Sequence, residues 1–225
     1  MQFLSLESST DAGSVALWRD GVVTERHCPV GPPSSATLLP LAAELMAEAG
    51  LGFGDLDAIA FGTGPGSFTG LRVACGAAQG LAVGQGIPVL PVGTLDAIAA
   101  AVPERQVVAC LDARMNEVYS ALFVDGHAVS PIGVYPPESV PLPEGAGWVA
   151  AGNALAAYPA LLARIQPCVE TVRPEVMPTA GAVARLAAPR LARGEGIDPA
   201  EAAPVYVRDK VALTVAERLA QGGRA

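Results

Sequence analysis

Two carboxylates close matching strands of this chain, Glu7 at the end of QFLSLE and Asp112 at the end of QVVACLD. Between them the turn GTGPGSFTG (62–70) runs into a helical pattern. Paired acids facing a cleft can hold a divalent cation through water. A glycine-rich turn at a helix start can cradle an anion, because free backbone N–H groups and the positive helix end converge there. This chemistry makes Glu7, Gly64, Gly66, Ser67 and Asp112 candidate nucleotide contacts. The supporting turns argue against it: SSTDAGS after Glu7 has one glycine and ARMNEVY after Asp112 has none, which hinders close approach of a triphosphate. A Walker loop needs GK[ST], and the chain's single lysine, Lys210, lies in no such motif.

Other chemistries find less. His27 and His127 sit near hairpins without HxxxH or HExxH spacing, as solvated turn residues do. Ser67 is in no GxSxG elbow and reads as a helix N-cap. Cys28, Cys75, Cys110 and Cys168 show no CxxC pair, so neither a disulfide nor a metal site is expected, and no catalytic residue is assigned. The net charge of −8 and pI of about 4.7 disfavour direct contact with a nucleic-acid backbone. Mean hydropathy is +0.40, yet no apolar run approaches the ~18 residues of a membrane span. The opening MQFLSLESST lacks the basic-then-apolar order of a signal peptide. A cytoplasmic protein is expected.

The elements that would position these residues read as follows. QFLSLESS, GSVALWRDG and VVTERHC form three strands, with Asp20-Gly21 as a hairpin turn. A loop over 29–35 leads to an amphipathic helix over 37–49, with Pro40 expected in its first turn. Strand LDAIAFGTG, the helix after Ser67, strand IPVLPVG and a helix capped by Thr94 complete β-β-β-α-β-α-β-α. The pattern then restarts. Sliding the chain by 105 residues sets Glu7 on Asp112, Trp18 on Phe123 and Asp20-Gly21 on Asp125-Gly126. The Pro-rich stretch 131–147 has no counterpart to the first helix, so the second copy is eroded. The fold class is therefore α/β: duplicated ribonuclease-H-like lobes of the actin-like ATPase type, with mixed five-stranded sheets. The lobes divide as 1–103 and 104–225.

The helix after Ser67 carries its own signal. Gly76, Gly80 and Gly84 recur every fourth residue, and each interior glycine costs roughly 1 kcal/mol relative to alanine. Close approach of another helix is the physical reason for such a stripe. Together with the 37–49 helix it forms a candidate partner interface comprising Leu38, Leu41, Leu45, Gly70, Val73, Gly76, Ala77, Gly80 and Gly84. Leu71, Cys75, Ala78 and Ala82 face the helix's own sheet.

GPGSFTGLR (64–72), the run at 76–82, LDARMNEVY (111–119) and PVYVRDKVA (204–212) closely resemble the bacterial TsaB (YeaZ) family, colinearly over nearly the whole chain. The resemblance implies a two-lobed actin-like fold and a non-catalytic subunit in threonylcarbamoyl modification of the adenosine beside the anticodon of tRNAs reading codons that begin with A. It also implies partners: the larger paralogue TsaD, the ATPase TsaE, and a second copy of the chain when TsaD is absent, with tRNA met only through the complex. Any ATP or ADP would be shared at the partner interface, and no peptidase activity is implied. Two departures stand out. Ser34-Ser35-Ala36 replaces the family's usual His-Ser/Thr-Glu/Gln, and Ala203 replaces the usual Glu before Pro-x-Tyr. Two rivals remain, a stand-alone ATP-binding enzyme of the actin-like fold and a homodimeric interaction protein unrelated to tRNA.

Overall fold

A computed structural model describes residues 1–29 and 31–208. The first sheet is built from β1 (Gln2–Glu7), β2 (Ser14–Arg19), β3 (Val22–His27), β4 (Ala58–Gly64) and β5 (Val89–Gly93), in the order β3-β2-β1-β4-β5. The meander is antiparallel, whereas β4 and β5 join β1 in parallel. Helices α1 (Ser34–Glu48) and α2 (Phe68–Gln85) connect strands of this sheet, and α3 (Thr94–Ala100) leads from β5 to the second sheet. Strand alternation sorts the sheet's two faces. Leu4, Leu6, Val15, Leu17 and Phe61 pack under α1 and α2, while Phe3, Ala58, Ala60 and Leu90 face the other way.

The second sheet repeats the plan with β6 (Gln106–Asp112), β7 (Val118–Val124), β8 (His127–Ala128), β9 (Gly133–Tyr135), β10 (Trp148–Ala151) and β11 (Thr171–Arg173). It has six strands rather than the expected five, because β8 and β9 both pair with β7. Both hairpin turns expected from Asp-Gly form, with Asp20, Gly21, Asp125 and Gly126 all at positive φ. Short helices α4 (Ala154–Ala157) and α5 (Pro159–Ile165) cover one face of this sheet through Leu155, Leu161 and Ile165. As expected, no α-helix lies between β9 and β10.

Helices are exchanged between the lobes. Leu95, Ile98 and Ala99 of α3 pack on Val107, Leu111 and Phe123 of the second sheet. The last described helix, α6 (Ala180–Ala192), returns to the first sheet, where Ala182, Val183, Ala184 and Ala187 meet Phe3, Ala60 and Leu90. Ser5 and Ser14 bind the start of α6: Ser5 Oγ donates to the Ala180 carbonyl at 2.7 Å, and Ala180 N–H donates to Ser14 Oγ at 2.8 Å. A division of the chain at 103/104 thus separates the sheets but not the helices that cover them.

The first helix begins at Ser34, three residues earlier than the periodicity predicts, with extended Pro33 as its N-cap. Pro40 consequently lies in the second turn, not the first, where its missing N–H leaves the carbonyl four residues back without its helical bond. The helix capped by Thr94 likewise starts one residue earlier, at Thr94 itself with Gly93 as N-cap. Ser67 caps α2 as expected, its Oγ accepting from Gly70 N–H at 3.3 Å, and left-handed Gly86 ends the helix.

Candidate partner interface and the cleft beside it

A cleft of about 900 Å³ opens between the lobes, lined by the β1–β2 turn, the start of α2, the β6–β7 turn and the stretch 205–208. It brings Ser67 and Asp112 together but not Glu7. That carboxylate is fully buried beneath β4, and a Cβ on Gly62 would overlap its Oε2. Glu7 Oε1 accepts from Ser9 N–H at 2.5 Å, while Oε2 has no partner among the described residues. Burial pushes the Glu7 pKa up, against the opposing pull of the Ser9 side chain and the Ser8 and Ser9 backbone. A buried carboxyl that resists ionisation and is walled off by Gly62 does not fit a water-coordinated cation.

Asp112 is engaged as well. Its Oδ1 accepts from Tyr158 OH at 2.6 Å and from Arg114 N–H at 2.8 Å, and the Arg114 guanidinium lies 3.4 Å from Oδ2. Burial, then the bond to Asp112 and its charge, push the Tyr158 phenol up to about 12. The other end of Arg114 crosses the cleft to Asp11 of the β1–β2 turn at 2.7 Å. Here Arg114, Met115 and Asn116 are left-handed in succession, at φ of 58°, 55° and 58°, a conformation that costs a non-glycine residue roughly 1–2 kcal/mol. This turn presents side chains where a phosphate-binding hairpin would present bare backbone.

The glycines of the 62–70 turn serve the chain's own packing. A Cβ on Gly66 would lie 2.5 Å from the Ser9 carbonyl oxygen, which accepts from Ser67 N–H at 2.7 Å. Gly64, at φ 121°, is approached by the Val205 carbonyl. Gly70 abuts the Ser8 carbonyl so closely that any Cβ would overlap it, and Ser8 Oγ donates to the Gly70 carbonyl at 2.8 Å. The residues present therefore do not fit a magnesium nucleotide held by this chain alone.

The outer side of α2 is different. Gly76, Gly80 and Gly84 are exposed, and a Cβ on any of them would meet nothing within 4 Å. Nothing within the described chain therefore requires their bareness. Leu71, Ala74, Cys75, Ala78 and Ala82 form the buried side, four of them as expected. The interface residues chosen from sequence need correction: Leu38 and Leu45 are each 1% exposed in the core beneath α1, and Gly70 is buried against Ser8. Amphipathicity identified α1's apolar stripe, but that stripe faces the chain's own sheet. Leu41, Val73 and Ala77 are half-buried and pack against the core beneath α1 and α2, and the large exposed apolar side chains on these helices are Leu39, Phe68 and Val83.

Sequence reasoning also missed the stretch that follows α6. Gln79 of α2 donates to the carbonyls of Pro199 and Ala202 at 3.0 and 3.1 Å, and Val205 N–H donates to the Thr63 carbonyl at 2.8 Å. Arg208 then donates to the Ala113 carbonyl at 3.0 Å and pairs with Glu117, joining the two lobes. The Pro204-x-Tyr206 pattern signalled that the segment is special without saying where it docks. Lys210 and the rest of PVYVRDKVA after Arg208 lie outside the described residues.

Comparison with known proteins identifies this architecture. The family described as TsaD, tRNA N6-adenosine threonylcarbamoyltransferase, matches residues 32–130. A tRNA threonylcarbamoyladenosine biosynthesis protein TsaB from Haemophilus influenzae is 47% identical over 123 residues, 53% of this chain and about half (52%) of that protein. The Escherichia coli protein of the same name is 34% identical over 94% of this chain and 96% of its own length. The chain belongs to the TsaB family. A solved structure described as YeaZ from Pseudomonas aeruginosa superposes with a TM-score of 0.84 at 36% identity, covering 91% of this chain and 99% of that one. For a TsaB protein, the unused outer side of α2 becomes the feature to explain. Among the described residues no cluster of three or more His, Cys, Asp or Glu is placed to hold a metal, and no helix is long and apolar enough to cross a membrane.

Proposed function

We propose that this chain serves threonylcarbamoyladenosine biosynthesis on tRNA as a docking subunit rather than as the catalyst. In this reading it binds the larger paralogue TsaD, with TsaE, through the outer side of α2 and the neighbouring surface of α1, and pairs with a second copy of itself when TsaD is absent. It works in the cytoplasm, meets tRNA only through the assembled complex, and has no peptidase activity.

One observation carries the reading. Three exposed glycines recur at i+4 spacing on α2, Gly76 and Gly80 in mid-helix at a cost of roughly 1 kcal/mol each relative to alanine and Gly84 in the last turn, with no other described residue packed above them. An incoming helix can approach that lane closely, whereas side chains there would hold it off. The state of the two carboxylates supports the non-catalytic part: Glu7 is buried and Asp112 is engaged by Tyr158 and Arg114. A stand-alone ATP-binding enzyme would need both. The chain holds no nucleotide or metal of its own in this account, and any ATP or ADP is contacted only jointly with the partner.

The test is association with purified TsaD from the same source, measured by calorimetry for the wild type and Gly80→Leu. The wild type should bind and the variant should not, while its melting temperature stays unchanged or rises. Equal binding by both would refute the reading.

A further inference from the structure

The row of α2 that carries the three glycines begins with two large residues, since Phe68, Arg72, Gly76, Gly80 and Gly84 are successive i+4 positions. The Arg72 guanidinium carbon lies 3.2 Å from the Phe68 ring centroid and 5.1 Å from that of Tyr206. The two rings are 5.6 Å apart and tilted by 35°. Both aromatics are about half exposed, Phe68 at 50% and Tyr206 at 45%. Arg26, Arg105, Arg173 and Arg208 each close on an acid. Arg72 pairs with no carboxylate among the described residues, and its one hydrogen bond there is a 3.4 Å contact to the Phe68 carbonyl. The result is a planar cation already held by stacking on exposed aromatic faces, with most of its N–H donors uncommitted among the described residues.

The geometry points to a carboxylate-receiving anchor: Arg72, held by Phe68 and Tyr206, takes an Asp or Glu side chain from the helical segment of the partner that lies along α2. This inference rests on the docking reading above and names the chemistry of that partner. A guanidinium fork matches a carboxylate bidentately, and aromatic stacking fixes the plane in which it does so. Since the arginine is ordered beforehand, pairing costs less side-chain entropy than a mobile surface ion pair would. Arg72 lies eight residues from Gly80, about 12 Å along the axis, so the acid belongs two turns or so from the closest helix crossing.

TsaD binding to wild type, Arg72→Gln and Gly80→Leu chains is compared at low and at moderate salt, with melting temperatures confirming that each is folded. The inference expects Arg72→Gln to bind on the order of tenfold more weakly at low salt and to lose most of the salt dependence shown by the wild type. If Gly80→Leu abolishes binding while Arg72→Gln matches the wild type at both salts, the anchor is overturned and the docking reading stands. If neither substitution changes binding, the docking reading falls and the anchor with it. If Arg72→Gln weakens only self-association of the chain, in sedimentation, the acid belongs to a second copy and the assignment to the partner is overturned.

Discussion

Replacing Glu7 by glutamine separates the two histories this carboxylate could have. Its Oε1 accepts from Ser9 N–H while Oε2 is buried without a partner among the described residues. An unsatisfied buried polar atom costs about 1–3 kcal/mol, and more when it carries charge. Glutamine keeps the acceptor for Ser9 and the shape, and removes the charge. The pH dependence follows from the raised pKa. Below the ordinary value of 4.5 the wild-type carboxyl is protonated in both the folded and unfolded chains, so the variant gains nothing. As pH rises through the higher folded value, the wild type loses stability that the glutamine chain keeps. At pH 8 the glutamine variant should be the more stable chain, by at least the order of the ~1 kcal/mol that charge adds to the cost of an unpaired buried atom, and each kcal/mol raises the melting temperature of a chain of this size by about 2–4 °C. Calorimetric or circular-dichroism melts of both proteins at pH 4 and pH 8 make the comparison. Identical melts at both pH values, or a less stable variant at pH 8, would refute the argument that burial dominates this site.

The triple variant Gly76→Ala/Gly80→Ala/Gly84→Ala should be up to about 2 kcal/mol more stable by thermal melting, because Gly76 and Gly80 are interior to α2 and no described residue blocks any of the three Cβ atoms, yet bind TsaD more weakly. Gly70→Ala should behave oppositely, losing about 3 kcal/mol or more or failing to fold, since its Cβ would overlap the Ser8 carbonyl; wild-type stability would overturn that contact. Asp112→Asn should let the Tyr158 phenol ionise clearly below about 12 in an ultraviolet titration, though burial keeps it elevated; an unchanged titration would deny that the Asp112 charge acts on the phenol. Calorimetry with ATP and magnesium should show no heat of binding to the isolated chain, and saturable binding would restore the cleft as a nucleotide site.

The architecture was legible where local rules act alone. Asp20-Gly21 and Asp125-Gly126 demanded their turns, Ser67 its cap, and the 105-residue offset matched Glu7 to Asp112, although the second hairpin turn is one residue shorter, 113–117 against 8–13, so that Trp18 corresponds in register to Leu122 rather than Phe123. The exposed side of α2 was legible because bare glycines in mid-helix have a measurable cost. What failed depended on the third dimension. Leu38 and Leu45 were assigned outward because amphipathicity gives a face but not its direction. Gly64, Gly66 and Gly70 suggested ligand contact, whereas they admit the backbone of Val205, Ser9 and Ser8, residues 57 to 141 positions away in the chain's own fold that no periodicity links. The exchange of α3 and α6 between sheets, and the docking of 204–208, are equally long-range.

The most direct test reconstitutes threonylcarbamoyl transfer to tRNA from TsaD, TsaE, threonylcarbamoyl-AMP and this chain. The account predicts transfer that requires the chain, survives Glu7→Gln with Asp112→Asn, and fails with Gly80→Leu. Transfer that proceeds equally without the chain, or that is lost when a folded chain merely lacks the two carboxylates, would contradict it.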